Sequence, residues 1–169
     1  MFYLDLFKAL QKEKVEYVLV GGLAVNFHGV ERATMDVDLT LAMDDANLKR
    51  FLKVATQLKL KPILPVPLSA LCDSAQIEEW INTKRLLAFS LHSTTGTLPT
   101  VDILVRPKVP FTKMHGNRIE KALGKVTVSY AAIEDLIALK TGTGRAQDAS
   151  DIKALKVARR VAAKGKQGK

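Results

Sequence analysis

Three aspartates in the sequence occur where their side chains could share a divalent cation. Asp36 and Asp38 are two positions apart in a run of alternating apolar and polar residues, which predicts a strand over residues 34–41. Alternate side chains of a strand share one face about 7 Å apart, so these carboxylates repel one another unless a cation neutralises them. Asp102 stands between apolar residues in a second predicted strand, residues 100–105, where an unpaired carboxylate is costly to bury. Carboxylate oxygens are hard ligands that suit Mg²⁺.

Simpler explanations for the same aspartates remain open at this point. Asp36 and Asp38 could be two solvated acids on an exposed face of the sheet, and a nearby lysine or arginine could neutralise Asp102. Arg32, a short distance before the acid pair, could neutralise the acids in the same way. The spacing of the aspartates therefore indicates a metal site or an ordinary arrangement of surface charge.

A glycine pair, Gly21-Gly22, separates a predicted strand over residues 16–20 from a predicted helix over residues 23–28. Its backbone N–H groups could approach a phosphate closely, and the helix N-terminus behind them adds partial positive charge. Alone, such a pair is usually only a turn. Arg32 lies between the glycines and the acids and could donate a fork of hydrogen bonds to phosphate oxygens. Together these features favour nucleotidyl transfer, in which two metal ions hold the attacking and leaving oxygens.

The elements that would position these residues follow from the hydrophobic pattern. Further helices are predicted over residues 3–14, 44–58, 69–84, 133–140 and 148–163, a further strand over 86–91, a turn at 94–96, and a hairpin around Gly124 within 117–129. This mixture predicts an α+β fold, in which a small mixed sheet is flanked by helices and further helices lie at the C-terminal end. We expect a single domain over residues 1–163 and a basic, flexible tail over residues 164–169.

The composition narrows the class of protein further. The 169 residues include 26 Lys and Arg against 17 Asp and Glu, a net charge of +9 that is compatible with a polyanionic partner. Six of the basic residues fall within residues 156–169, which contain no acid. The only cysteine, Cys72, excludes an internal disulfide and a multi-cysteine zinc site. The sequence has no apolar run of membrane-spanning length and no signal-peptide pattern, so we expect a cytoplasmic protein without a membrane partner.

A pattern of Gly-Gly, then His-Gly, then Arg-x-Thr-x-Asp-x-Asp runs through residues 21–39, whose sequence is GGLAVNFHGVERATMDVDL. This pattern closely resembles the signature of the polymerase-β-type nucleotidyltransferase superfamily. Within it, the nearest resemblance is to the small prokaryotic branch that includes the AbiEii-like toxins of toxin–antitoxin systems. A later segment, residues 133–152, is similar to the Leu-Ile-x-x-Lys and Arg-x-x-Asp-x-x-Asp helices of that branch. The resemblance spans residues 15–155 and implies the nucleotidyltransferase fold.

The resemblance also implies a reaction and a role for each matching residue. The reaction is the transfer of a nucleoside monophosphate from an NTP to a hydroxyl group, with release of pyrophosphate, and it would use two Mg²⁺ ions that Mn²⁺ could replace. By this resemblance Asp102 helps to deprotonate the acceptor, and Asp148 orients Lys140 or contacts the nucleotide. The metal ligands would be Asp36, Asp38 and Asp102, with Lys140 as a further catalytic residue. The nucleotide-binding residues would be Gly21, Gly22, Arg32, Arg145 and Asp148.

The acceptor and the partners stay open at this stage. RNA, in particular a tRNA 3′ end, fits the toxin-like branch and the basic C-terminal residues. A protein or a small molecule, such as an antibiotic, fits the fold equally well. The resemblance also raises a partner protein of the antitoxin type. As alternatives, the chain could be a catalytically idle nucleotide- or RNA-binding module, and Arg145 and Asp148 could be an ordinary i, i+3 pair on a helix surface.

Overall fold

The computed structural model of the chain describes residues 2–94 and 99–167. The helices within these residues are α1 (Phe2–Lys12), α2 (Gly21–Phe27), α3 (Asp45–Gln57), α4 (Ser74–Lys84), α5 (Phe111–Asn117), α6 (Ile133–Lys140) and α7 (Ala146–Gln167). The strands are β1 (Tyr17–Val20), β2 (Val37–Leu41), β3 (Leu60–Pro62), β4 (Ala88–Ser93), β5 (Val101–Leu104), β6 (Ile119–Leu123) and β7 (Val126–Tyr130). A 3₁₀ helix, Leu68–Cys72, precedes α4.

The strands form one mixed sheet in the order β3-β4-β5-β2-β1-β7-β6. β2 lies in the middle, antiparallel to β1 and parallel to β5. All residues of β1 are buried, which explains why this strand is a continuous apolar run and does not alternate. Helices α1, α2 and α5 contact the sheet, and α6 packs on α7. The predicted α+β fold, with a mixed sheet flanked by helices, is confirmed.

The helix α3 follows directly from its sequence. Asp44 caps its N-terminus, because its side chain accepts a hydrogen bond of 2.9 Å from the Asn47 N–H. Leu48 and Phe51 recur at helical spacing and are buried in the core. The helix predicted over residues 44–58 is therefore confirmed to within one residue at each end.

The helix predicted over residues 69–84 is instead two elements, the 3₁₀ helix and α4. Asp73 separates them with a ψ of 91°, outside the helical range, and its side chain caps α4 by accepting a 3.0 Å hydrogen bond from the Gln76 N–H. Leu71 and Ile77 are buried on either side of the break, so the spacing of apolar residues gives no sign of it. The break occurs at the capping residue Asp73. Because aspartate also occurs inside helices, its presence in the sequence does not reveal the break.

The hydrophobic pattern makes no prediction for β3 and α5. β3 has three residues, lies at the edge of the sheet and ends on Pro62, a residue that indicates a break and is tolerated only at such edges. α5 begins after Pro110 and buries only Met114, so it has no apolar stripe. Elements this short leave too few residues for a periodic signal.

The strand predicted over residues 34–41 is shorter than expected, because β2 begins at Val37. Residues 30–36 have no regular secondary structure, and the first ladder bond of this segment runs from the Val37 N–H to the Thr100 carbonyl at 2.9 Å. Asp36 therefore lies one residue before β2, and of the two aspartates only Asp38 belongs to the strand. Apolar and polar residues also alternate over residues 34–36, before the first hydrogen-bonded residue of β2. The predicted strand therefore began three residues too early.

The remaining predictions concern the C-terminal half of the chain. The hairpin predicted around Gly124 is confirmed by the pairing of β6 with β7, and Gly124 has φ +65°. Of the turn predicted at residues 94–96, only Thr94 lies within the described residues. The backbone of α7 continues to Gln167, past the start of the predicted tail, and the division into domain and tail stays a prediction. Among the described residues, no helix combines the length and the apolar character needed to cross a membrane.

Candidate active site

Two of the predicted metal ligands, Asp38 and Asp102, are neighbours in the centre of the sheet. The parallel pairing of β2 and β5 sets them in register with each other. In-register residues of adjacent strands have their side chains on the same face, so the two carboxylates lie side by side. On the other side, Asp38 is in register with Val20, the residue before the glycine pair. The sheet therefore brings two carboxylates from distant parts of the chain to the beginning of α2.

The charges around Asp38 act in opposite directions on its ionisation. Burial is the largest cause that raises the pKa of Asp38 above its ordinary value, followed by repulsion from Asp102 and Asp36, while Lys140 and Arg32 oppose the rise. The Oδ1 atom of Asp102 is buried and has no hydrogen-bond partner among the described residues. A cation between these carboxylates would relieve the repulsion and satisfy the oxygen, so their ligand chemistry fits Mg²⁺.

Asp36, the third predicted ligand, is held differently. Its Oδ1 accepts a hydrogen bond of 2.9 Å from the hydroxyl of Thr100, just before β5. Within the part of the chain that the structure describes, no three His, Cys, Asp or Glu side chains are arranged to hold a metal ion together. The structure thus places Asp38 and Asp102 side by side, and the Asp36 carboxylate is hydrogen-bonded to Thr100. Its assignment as a metal ligand stays a prediction.

The glycine pair is required by the side chains that pack against it. Gly21 has φ +64°, and a Cβ at this position would lie 1.8 Å from Asp38 Oδ2. A Cβ at Gly22 would lie 2.0 Å from Arg32 Nη1 and 2.8 Å from the Thr34 hydroxyl. The two glycines therefore allow a carboxylate and a guanidinium to lie directly against the first turn of α2.

Lys140 is the last residue of α6, and only 8% of its side chain is exposed. Its Nζ lies 2.9 Å from Asp148 Oδ1 and 2.7 Å from Asp151 Oδ2, two carboxylates of α7. Burial alone would raise the pKa of Asp148, but hydrogen bonds from Thr143, Lys140 and Arg145 and the Lys140 charge hold it below its ordinary value. The two acids therefore neutralise the lysine and join α6 to α7.

Asp151 is a site residue that the sequence analysis does not select. Besides contacting Lys140, its carboxylate lies 3.4 Å from Arg32 Nη1 and accepts a 2.9 Å hydrogen bond from Gln147. The signal is present in the sequence, because Asp151 is the last residue of the Arg-x-x-Asp-x-x-Asp pattern, but acids on a helix surface have the same spacing. Its burial, at 3% exposed, distinguishes it from them and links Arg32 to α6 and α7.

A cleft of about 310 Å³ lies among these groups, near the lower end of the range of about 300–1,000 Å³ typical of small-molecule sites. All the predicted site residues line it except Asp36 and Asp102. Arg106 and Lys108, which follow β5 and are not predicted from the sequence, line it as well. The apolar part of the lining includes Leu87, Leu104, Leu136 and Leu139. The cleft therefore combines two carboxylates, Asp38 and Asp148, with several cations and an apolar wall.

The two additional cations have different partners. Arg106 forms an ion pair with Glu78 of α4. The Lys108 Nζ donates a hydrogen bond of 2.9 Å to the carbonyl of Thr141, the residue that follows α6. These contacts join the segment after β5 to α4 on one side and to the C-terminal end of α6 on the other.

Comparison with known proteins identifies the relatives of this arrangement. A family model described as nucleotidyltransferase of unknown function (DUF6036) matches residues 4–164. The lincomycin-bound lincosamide antibiotic adenylyltransferase LnuA is similar with a TM-score of 0.58 and 16% identity, over 92% of this chain and 93% of that one. ANT(2″)-Ia, in complex with adenylyl-2″-tobramycin, has a TM-score of 0.56 and 12% identity, over 95% and 94%.

A third similar structure is an antigenic nucleotidyltransferase-like protein from Paracoccidioides brasiliensis, with a TM-score of 0.55 and 17% identity, over 92% of this chain and 72% of that one. At these identities, the three structures support the nucleotidyltransferase fold and nothing more specific. The sequence has no significant match among curated proteins.

Proposed function

Because the chain belongs to a family of nucleotidyltransferases of unknown function, we propose that it transfers a nucleoside monophosphate from an NTP to a hydroxyl group and releases pyrophosphate in a Mg²⁺-dependent reaction. The observation that carries this proposal is the in-register pair of Asp38 and Asp102 beside the glycine pair, at a cleft with a basic lining. Crowded carboxylates suit divalent cations, and the cations of the cleft suit a triphosphate.

In the proposed reaction, Mg²⁺, or Mn²⁺ in its place, supplies positive charge that neutralises the triphosphate and activates the acceptor hydroxyl. Asp38 and Asp102 are proposed to bind the two metal ions, and Asp36 is the third proposed ligand. Besides holding a metal ion, the Asp102 carboxylate is the proposed acceptor of the hydroxyl proton. Arg32 and Arg145 are proposed to bind the triphosphate, because a guanidinium can donate two parallel hydrogen bonds to phosphate oxygens.

The glycine pair and the ion pair of Lys140 with Asp148 complete the proposed nucleotide side of the cleft. Gly21 and Gly22 are proposed to contact the triphosphate, because neither residue has a side chain of its own that would keep a phosphate away from its backbone. Lys140 and Asp148 both line the cleft, and their charged atoms are 2.9 Å apart. This ion pair is proposed to hold both side chains in place on the side of the cleft that faces the nucleotide.

Two acceptor classes are supported by two different observations. The two antibiotic adenylyltransferases are similar over nearly the whole length of both chains, which favours a small-molecule hydroxyl as the acceptor here. The exposed surface of α7 favours RNA, because it carries basic residues and no acid after Asp151. These basic residues are Lys153, Lys156, Arg159, Arg160 and Lys164.

The toxin-like branch and its antitoxin-type partner stay predictions of the sequence resemblance, as does the cytoplasmic location. The family that matches the chain is described as a nucleotidyltransferase of unknown function. Purification of the natively expressed protein as a lone monomer would count against a partner of this type.

The proposed function is tested by measuring pyrophosphate release with each of the four NTPs and Mg²⁺, with total small RNA, lincomycin or tobramycin as the acceptor. We expect Asp38→Ala to reduce release by more than roughly 100-fold, since changes to residues that merely surround metal ligands already cost about 10–100-fold. Asp45→Asn is the matched control, because Asp45 is an exposed acid of α3 that does not line the cleft. This control variant should keep the wild-type rate.

The outcomes separate the proposed enzyme from its alternatives. Release that requires one acceptor and Asp38 supports the proposal and identifies the acceptor class. Unchanged turnover in Asp38→Ala would overturn the assigned site. NTP binding without release, at an affinity that falls steeply with salt, would indicate the catalytically idle nucleotide- or RNA-binding module instead.

A further inference from the structure

The basic residues that line the cleft differ in whether a carboxylate already neutralises them. Arg32, Arg106, Lys140 and Arg145 each form an ion pair with a carboxylate. Lys108 also lines the cleft, but no carboxylate within the described residues lies at ion-pair distance from it. In the part of the chain that the structure describes, Lys108 is therefore the cleft cation whose charge is not yet paired.

Lys140, which the sequence resemblance assigns to the nucleotide phosphate, shows the opposite situation. Its Nζ is buried between the carboxylates of Asp148 and Asp151, at 2.9 Å and 2.7 Å. To bond a phosphate oxygen directly, the ammonium group would have to leave two buried acids without their cation, which carries a large free-energy cost. A direct phosphate contact is therefore easier for a cation that has no such partners.

Lys108 meets that requirement. Its side chain is exposed, and its Nζ donates to the neutral carbonyl of Thr141 at 2.9 Å. The backbone beside it is fixed, because Val109 is buried and Pro107 has a restricted φ. Exchanging a carbonyl for a phosphate oxygen would keep a hydrogen bond and add the attraction of opposite charges, which makes the new bond stronger.

We propose that Lys108 binds the triphosphate of the NTP. The inference rests on the proposed function, because it takes the cleft to be the nucleotide site. Lys108 follows β5, the strand that carries Asp102, so one short segment supplies a carboxylate and a phosphate ligand to the same site. On binding, the Nζ leaves the Thr141 carbonyl for the phosphate oxygens, and no covalent bond forms or breaks.

The test is an equilibrium competition on the full chain with Mg²⁺ and without an acceptor, in which ATP or AMP displaces a fluorescent ATP analogue. For Lys108→Ala, we expect the affinity for ATP to fall roughly tenfold and that for AMP to change by less than about twofold, because only the charge-assisted bond to the outer phosphates is lost. Lys108→Arg keeps the charge and should retain most of the affinity. If pyrophosphate release identifies another base, that NTP and its monophosphate replace ATP and AMP.

Lys113→Ala is the control, since Lys113 is an exposed lysine of α5 that does not line the cleft, and its nucleotide affinity should equal that of the wild type. If Lys108→Ala binds ATP as the wild type does, the inference is overturned and the proposed function stands. Equal losses for ATP and AMP would also overturn it, because the lysine would then act as a general surface charge. If the wild type itself binds no NTP, the proposed function fails.

The melting temperature of Lys108→Ala should match the wild type, because the side chain is exposed.

Discussion

The backbone at Gly21 and Gly22 is in direct contact with the side chains that define the site, and the two glycines differ in what surrounds them. At Gly21, an added Cβ would meet Asp38 Oδ2 at 1.8 Å and Asp38 Cβ at 2.8 Å, and the latter belongs to a central strand that cannot yield. At Gly22, the nearest atom is the end of the flexible Arg32 side chain, at 2.0 Å. Adding a methyl group at the first position therefore forces the carboxylate away, whereas at the second it displaces mainly the guanidinium.

We accordingly expect Gly21→Ala to lower the free energy of unfolding by about 1–3 kcal/mol, because it combines a positive φ with overpacking, and to abolish pyrophosphate release. Gly22→Ala should cost less stability and act mainly by weakening NTP binding through Arg32. Urea denaturation and the pyrophosphate assay on both variants check this. Equal losses of stability would contradict the contacts described for the pair.

At the scale of elements, the C-terminal helices are attached to the rest of the site through charge. Asp151 of α7 contacts Lys140 of α6 and Arg32 of the segment before β2, and it is almost completely buried. Buried ion pairs contribute little net stability when intact, but removing one partner leaves an uncompensated charge in a region of low dielectric. This carboxylate therefore links α7 to α6 and to the segment before β2 at the same time.

Asp151→Ala should lower the free energy of unfolding by about 3–5 kcal/mol, the usual cost of breaking a buried pair. Lys153→Ala, on the exposed side of the same helix, should change it by less than about 0.5 kcal/mol. Urea denaturation of both variants measures the difference. A loss in Asp151→Ala as small as that of the control would show that the helix is held by its apolar contacts alone.

Local signals explain which elements could be predicted from the sequence. The cap at Asp44, the glycine pair and the hairpin around Gly124 each depend on residues close together in the chain, and their elements begin and end within two residues of the expected positions, with the glycine pair inside the first turn of α2. β3 and α5 are too short to carry a periodic pattern, and the break at Asp73 leaves the apolar spacing intact. Element types were therefore more predictable than element boundaries.

Some residues of the candidate site could likewise be predicted from the sequence, and others could not. The pattern that contains the glycine pair, Asp36 and Asp38 is compact in the sequence, and Asp38 lies beside Asp102 as a shared cation would require. Lys108 could not be selected, because its contact with Thr141 depends on tertiary packing between segments distant in the chain. Whether a charge lies in a cleft or on a solvated surface is a property of the whole fold, and sequence spacing does not contain it.

At the scale of the whole molecule, the crowded carboxylates make stability depend on pH. Because the pKa of Asp38 is higher in the folded chain than its ordinary value, the folded state binds more protons than the unfolded state between these two values. The free energy of unfolding therefore falls as pH rises through the folded-state pKa, and this loss is absent below the unfolded value. Mg²⁺ bound at the carboxylates would offset the loss at neutral pH.

Asp38→Asn should therefore melt at a higher temperature than the wild type at about pH 7–8 without divalent cations, because it removes the buried negative charge. Each kcal/mol regained corresponds to about 2–4 °C in a chain of this size. Added Mg²⁺ should raise the melting temperature of the wild type and have little effect on the variant. Thermal denaturation with and without Mg²⁺ measures both effects, and a lower melting temperature for the variant without Mg²⁺ would contradict the expected relief of repulsion.

The strand order also has a consequence for how the newly synthesised chain acquires its site. The glycine pair and Asp38 belong to β1, α2 and β2, which are consecutive in the chain, whereas β5, with Asp102, follows only after α3, β3, α4 and β4. Contacts between distant segments form more slowly, because a long loop must close before they stabilise the fold. During synthesis, Asp38 therefore emerges from the ribosome before its neighbour exists, and the ability to coordinate a cation arises only when β5 docks beside β2.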